Sequence, residues 1–296
     1  MISKMLCIVG IIVVSFVFSS AAGASCSNAS LSGTYGFMHD GTDSTGAPAT
    51  AAVTQITFDS TTGTFTGETT ASHEGVIATS SLSGTYTISA DCTGTGTPTG
   101  ASPFSIVVTS RGFLAVHAFS EGFAVKQGSR TCTNADVVGS FGFETTGLFL
   151  SGAPATGWVA FLGKLDLGVR PSGEGVISGH VAGSEGDTAL AFTPVTGSYS
   201  VASDCTGTAT ITPKGPSPLN FSFVVVERGK QMLAIETDAN TVVSGTLVKD
   251  EDDTVSSTDV THNGEAKVEI CGGSDPCEAV RRRIFRPQFT PKFLSS

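Results

Sequence analysis

Charge is scarce in this chain. Only 14% of its 296 residues are Asp, Glu, Lys or Arg, with 16 cations against 26 acids. So few cations draw no basic face, which excludes nucleic-acid binding through an electrostatic footprint. Clustered metal ligands are also missing. There is no Cys-x-x-Cys and no grouping among the five histidines, so no zinc site of the usual spacing is present. No Gly-x-Ser-x-Gly marks a nucleophile elbow. Tryptophan occurs once, at Trp158. No segment keeps a capped 3.6-residue period, which argues against a helical architecture.

What the chain does have, it has twice. The first copy runs Cys26-Ser27-Asn28, Gly33-Thr34-Tyr35-Gly36-Phe37, Gly46-Ala47-Pro48-Ala49-Thr50, Gly84-Thr85-Tyr86, Asp91-Cys92-Thr93-Gly94-Thr95 and Arg111-Gly112. The second repeats the order with Cys132-Thr133-Asn134, Gly139-Ser140-Phe141-Gly142-Phe143, Gly152-Ala153-Pro154-Ala155-Thr156, Gly197-Ser198-Tyr199, Asp204-Cys205-Thr206-Gly207-Thr208 and Arg228-Gly229. An ordered landmark series of this kind means two copies of one domain. The domains are expected at 25–130 and 131–249. Cys26 to Cys132 spans 106 positions and Cys92 to Cys205 spans 113, so the second copy gained 7 residues between those points. The Gly/Pro clustering places these extra residues around Leu165 to Ser172.

The N-terminus carries the longest apolar run, Met5 to Phe18, after Lys4 and before the small residues Ala22-Gly23-Ala24. This is the pattern of an export signal over 1–24. A run this short falls below the roughly 20 residues of a membrane span. The exported chain keeps 15 cations (16 less Lys4), giving a formal charge of −11. Six cysteines remain after Cys7 leaves with the signal: Cys26, Cys92, Cys132, Cys205, Cys271 and Cys277. Six cysteines allow fifteen pairings. The duplication selects Cys26–Cys92 and Cys132–Cys205, which treat both copies alike, and leaves Cys271–Cys277. The destination is therefore secreted, periplasmic or cell-surface. The rival is a lipid anchor on Cys26, although Gly23-Ala24-Ser25 lacks the Leu of a lipobox.

Between the turns the segments are rich in β-branched and aromatic residues. Examples are Ala52–Phe58, Ser83–Ser89, Phe104–Thr109 and Phe113–Phe119, matched by Trp158–Leu162, Ser198–Val201, Phe221–Val226 and Met232–Ile235. Short strands separated by tight turns predict an all-β chain. The expected fold is two tandem small antiparallel up-and-down β-barrels of about eight strands each, since closure removes exposed edges. Two β-sandwiches are the alternative. An immunoglobulin-like sandwich is disfavoured because the first copy has Ala52 where the second has Trp158.

With Gly-x-Tyr/Phe-Gly-Phe, a Gly-x-Tyr strand, Asp-Cys-Thr-Gly-Thr and a Val-rich strand before Arg-Gly, the chain resembles a group of exported bacterial proteins of unknown function. Their domains are calycin-like, similar to lipocalin and allene-oxide-cyclase barrels. The resemblance covers roughly Cys26 to Lys249. It implies a barrel interior able to hold a small ligand and supplies no catalytic residue.

Candidate chemistry is sparse. Asp91-Cys92-Thr93-Gly94 and Asp204-Cys205-Thr206-Gly207 read as hairpin turns, with Asp capping local amides and Gly supplying positive φ. One carboxylate per copy is too few oxygens for calcium. His39 aligns with Thr145 and His117 with Glu236, so neither imidazole is duplicated. His73 and His180 fall out of register. All four read as exposed strand histidines. From Asp250 the composition turns polar, and Arg281-Arg282-Arg283 closes a basic end. The stretch 250–296 reads as linker and tail, largely disordered. The expected function is non-enzymatic, with no cofactor, no metal and no catalytic residue. It is small-ligand binding or a structural or adhesive role at the cell envelope, with a small apolar ligand or an envelope component as partner. An isomerase- or cyclase-like barrel enzyme is the alternative.

Overall fold

Among the described residues, sixteen strands form two closed eight-stranded antiparallel barrels in up-and-down order. The computed structural model describes residues 25–117, 120–128, 131–151, 157–186, 188–213 and 218–250. The export signal, the Cys271–Cys277 pair and the basic end lie outside the described residues. Barrel 1 consists of β1 (Gly33–Thr42), β2 (Pro48–Asp59), β3 (Thr64–His73), β4 (Val76–Ile88), β5 (Thr93–Pro98), β6 (Phe104–Val108), β7 (Gly112–His117) and β8 (Ser120–Lys126). Barrel 2 consists of β9 (Gly139–Phe149), β10 (Gly157–Val169), β11 (Gly175–Glu185), β12 (Thr188–Val201), β13 (Thr206–Pro213), β14 (Leu219–Val226), β15 (Gln231–Glu236) and β16 (Thr241–Lys249). Closure is made by β1 with β8 and by β9 with β16.

Side chains alternate across each strand, so closure sends every second residue inward. In barrel 1 the inward set at one end is almost wholly aromatic and aliphatic. Tyr35, Phe58, Phe65, Tyr86, Ile106 and Phe113 are buried there. Phe58 meets Tyr35 at 5.8 Å, Tyr86 at 4.8 Å and Phe113 at 5.4 Å, each edge to face, the geometry that aromatic quadrupoles favour. The duplicated motifs meet at this floor. Asn28 accepts the Ile88 amide at 2.8 Å and the Tyr86 hydroxyl donates to the Asn28 carbonyl at 3.0 Å. In barrel 2 Asn134 accepts the Val201 amide at 2.7 Å and Tyr199 donates to the Asn134 carbonyl at 2.9 Å. The disulfides Cys26–Cys92 and Cys132–Cys205 tie the entering segment to the same end of each barrel. The repeat thus encodes a plugged floor.

Two sequence expectations change. In the Asp-Cys-Thr-Gly turns, Asp91 Oδ1 does accept the Thr93 amide at 3.0 Å, and Asp204 Oδ1 the Thr206 amide at 2.9 Å. The positive φ, however, falls on Cys92 (68°) and Cys205 (75°), not on the glycines. Gly94 and Gly207 lie within strands. They are required because a Cβ at Gly94 would sit 2.2 Å from the Thr87 carbonyl oxygen and one at Gly207 2.3 Å from the Phe223 ring. The seven extra residues are also not gathered at Leu165–Ser172. Register places Ala52 opposite His39 and Phe161 opposite Thr145, which puts three of them between β9 and β10. Three more fall between β10 and β11, and one in β12, at its bulge against β11.

The barrels are packed together by their outer faces. Met38, Ala51 and Val53 of β1 and β2 share one buried cluster with Val224, Val226, Leu233, Ile235 and Val242 of β14–β16. Full burial of one such aliphatic side chain is worth about 1.5–3 kcal/mol, so several together make a durable contact. Gly36 makes the close approach. A Cβ there would lie 2.5 Å from Val226 and 3.0 Å from Val224. Polar groups at the margin are paired: Gln127 donates to the Asp204 carbonyl at 2.9 Å, as does Gln55, and Ser72 donates to the Thr241 carbonyl. Asp40 is an exposed residue at the rim, with its carboxyl turned against the second barrel at the Ser244 hydroxyl. Burial pushes its carboxyl up to about 6, the Ser244 hydroxyl opposes that by hydrogen bonding, and Glu121 adds to the push.

Candidate functional site

The end of barrel 1 opposite the floor is built differently. Its strands are unequal: β1–β4 have 10 to 13 residues, whereas β5–β7 have 5 or 6. The wall is therefore high on one side and low on the other. Phe37 stacks on Phe113 with centroids 5.5 Å apart, and His39 stacks on Phe37 at 5.3 Å. This ladder climbs from floor to mouth. Beside it, on β2 and β3, the inward positions hold small or hydroxyl side chains: Ala52, Thr54, Thr69 and Ala71, with Thr54 and Thr69 hydroxyls 2.8 Å apart. Register places Ser80 beside Thr69 and Ala78 beside Ala71 on the same inner face, yet both are exposed. An inward side chain that meets solvent lies where the barrel is open.

His39 gives this cup its chemistry. Its Nδ1 is buried and has no hydrogen-bond partner. Burial, and secondarily the charge of His117, hold its pKa below the usual 6.5, so near neutrality the imidazole is uncharged. An uncharged ring offers one donor and one acceptor. The reading of His39 as an exposed strand histidine is therefore corrected: closure turns β1 so that odd residues face in. His117 also occupies an inward position, at the exposed end of β7. His73, exposed, lies 2.9 Å from the Thr50 hydroxyl. His180 is exposed on the outer face of β11.

Barrel 2 fills the same space. Phe161 stands where barrel 1 has Ala52, and Val181 where it has Thr69. Both pack on the core of barrel 2. Thr145 replaces His39 and is buried. Glu236 replaces His117 and is 2% exposed, inside the barrel and opposite Phe221. Burial, then the charge of Asp238, push its carboxyl up to about 8, so it is protonated at neutral pH. The run Met232–Ala234–Glu236 at alternate positions was the available sequence signal that this acid faces inward.

A surface hollow of about 370 Å³ lies at the opposite, disulfide-closed end of barrel 2. Its lining, Cys132–Ala135 with Val169, Gly173 and Val201, holds no titratable side chain. The mouth of barrel 1 is accordingly the candidate site. Among the described residues no group of three or more His, Cys, Asp or Glu could hold a metal ion, and no helix is long and apolar enough to cross a membrane.

Fold and site define a tandem eight-stranded antiparallel β-barrel protein in which one end of the first barrel carries small, partly exposed inward residues where the second carries Phe161 and Val181. No family model matches the chain, and no curated protein matches it. Among solved structures it is similar to a protein of unknown function from the DUF3598 family of Nostoc punctiforme. The two are 9% identical over 75% of this chain and 97% of that one, with a TM-score of 0.24. A likeness that slight carries nothing over to this chain.

Proposed function

We propose that this is an exported, non-enzymatic binding protein of calycin-like architecture. Barrel 1 takes a small, flat, largely apolar ligand bearing one polar group, and barrel 2 is its structural mount. The observation that supports this reading is the open cup above an aromatic floor, with the unpartnered His39 Nδ1 beside the Phe37 ring. Ligand sites of this kind pair apolar walls with a few placed polar groups. Export is supported by the two disulfides, which persist in oxidising compartments.

The test is fluorescence titration with N-phenyl-1-naphthylamine, an apolar aromatic probe. The wild-type chain is expected to bind it. Filling the cup with Ala71→Phe should weaken binding by about tenfold or more, or 1.4 kcal/mol. Val181→Ala in barrel 2 should leave binding unchanged. Absence of binding by the wild-type chain, or equal affinity in Ala71→Phe, refutes the proposal.

A further inference from the structure

The contact that holds the barrels together is head to tail: barrel 2 presents β14–β15 and barrel 1 receives it on β1–β2. Because the barrels are copies, each also carries the half that it does not use. On barrel 1 the strands equivalent to β14–β15 are β6–β7. Val107 pairs with Leu114 as Val224 pairs with Leu233, and Val116 takes the place of Ile235. Val224, Leu233 and Ile235 are all buried in the contact, whereas Val107, Leu114 and Val116 are about half exposed, Leu114 at 51%.

On barrel 2 the strands equivalent to β1–β2 are β9–β10. Ala160 matches Ala51 and Leu162 matches Val53. Leu162 is 55% exposed, and Trp158 on the same face is 59% exposed. The decisive position is Gly142. It is the counterpart of Gly36, the glycine against which Val224 and Val226 sit. A Cβ on Gly142 would have only the Val248 carbonyl oxygen near it, at 3.8 Å. The seat is formed and empty. A polar pair at the rim is conserved in reverse as well. Asp40 meets the Ser244 hydroxyl within the chain, and the equivalent positions on the free faces are Thr146 and Glu121. Against these stands Glu144 in place of Met38. It is exposed and accepts from Thr246 at 3.4 Å, so the free contact is weaker than the internal one.

We infer that the free β6–β7 face of barrel 1 docks on the free β9–β10 face of barrel 2 in a second copy of this chain. Such a contact is heterologous, so each copy retains one unused face and association continues beyond the dimer. Exposed apolar patches of this kind mark association sites.

Sedimentation velocity of the full chain tests this at about 100 µM, a concentration that fills weak interfaces of micromolar affinity. The wild-type chain should form species larger than a dimer, growing with concentration. Leu114→Glu and Leu162→Glu each remove one face and should each be monomeric alone. Mixed in equal amounts they still share one intact pair of faces and should give a dimer and nothing larger. Both positions are exposed, so unchanged circular dichroism and melting temperature confirm folding. A monomeric wild-type chain, a dimer of either variant alone, or no dimer in the mixture would overturn the inference.

Discussion

Glu236 makes a quantitative prediction. Its carboxyl ordinarily titrates at 4.5, and burial inside barrel 2 lifts this to about 8. Between those values the unfolded chain has released the proton and the folded chain has kept it. Stability therefore falls as pH rises through this window and levels off above about 8. Each pH unit of difference is worth 1.36 kcal/mol, so the loss approaches a ceiling of about 5 kcal/mol at high pH and is about 3 kcal/mol at pH 7. Glu236→Gln supplies a neutral side chain of the same shape and removes the penalty. Urea unfolding followed by far-UV circular dichroism would measure it across that pH range. Near pH 4 the two proteins should agree within about 1 kcal/mol, the scatter of a conservative change. At pH 7 the variant should be the more stable by about 3 kcal/mol. Parallel stability curves for the two proteins would refute the reasoning, because they would mean that Glu236 ionises inside the folded barrel as readily as outside it.

Two further outcomes follow from the packing. Gly36→Val drives a side chain into Val226 and Val224 and should cost about 1–3 kcal/mol, the usual range for overpacking. Gly142→Val meets only the Val248 carbonyl and should leave the monomer's stability nearly unchanged; calorimetry of the two variants side by side checks the contrast. Replacing Cys132 and Cys205 by Ser opens a crosslink spanning 73 residues, which should cost about 4 kcal/mol on the loop-entropy scale. Chemical denaturation should show this loss in barrel 2.

The linear order of residues was enough for the duplication, the all-β character and the pairing of Cys26 with Cys92 and Cys132 with Cys205, because landmarks, alternation and turn residues are local and repeat in register. The small departures were local too. Cys92 and Cys205, rather than Gly94 and Gly207, take the left-handed conformation, since the glycines are claimed by strand neighbours that leave no room for a Cβ. What lay beyond reach was which face of a strand does what. Phe221–Val226 and Met232–Ile235 read as single apolar runs. In the structure Phe223, Val225, Met232 and Ala234 line barrel 2, while Val224, Val226, Leu233 and Ile235 dock on barrel 1. Phe104–Val108 and Phe113–Val116 have nearly the same pattern, yet Val107, Leu114 and Val116 remain exposed. Likewise His39 and Glu236 become interior groups only through closure, and Ala52 against Phe161 decides that one barrel is open and the other filled. Each of these depends on residues from strands far apart in sequence arriving at the same height of a closed sheet, and tertiary structure alone sets that register.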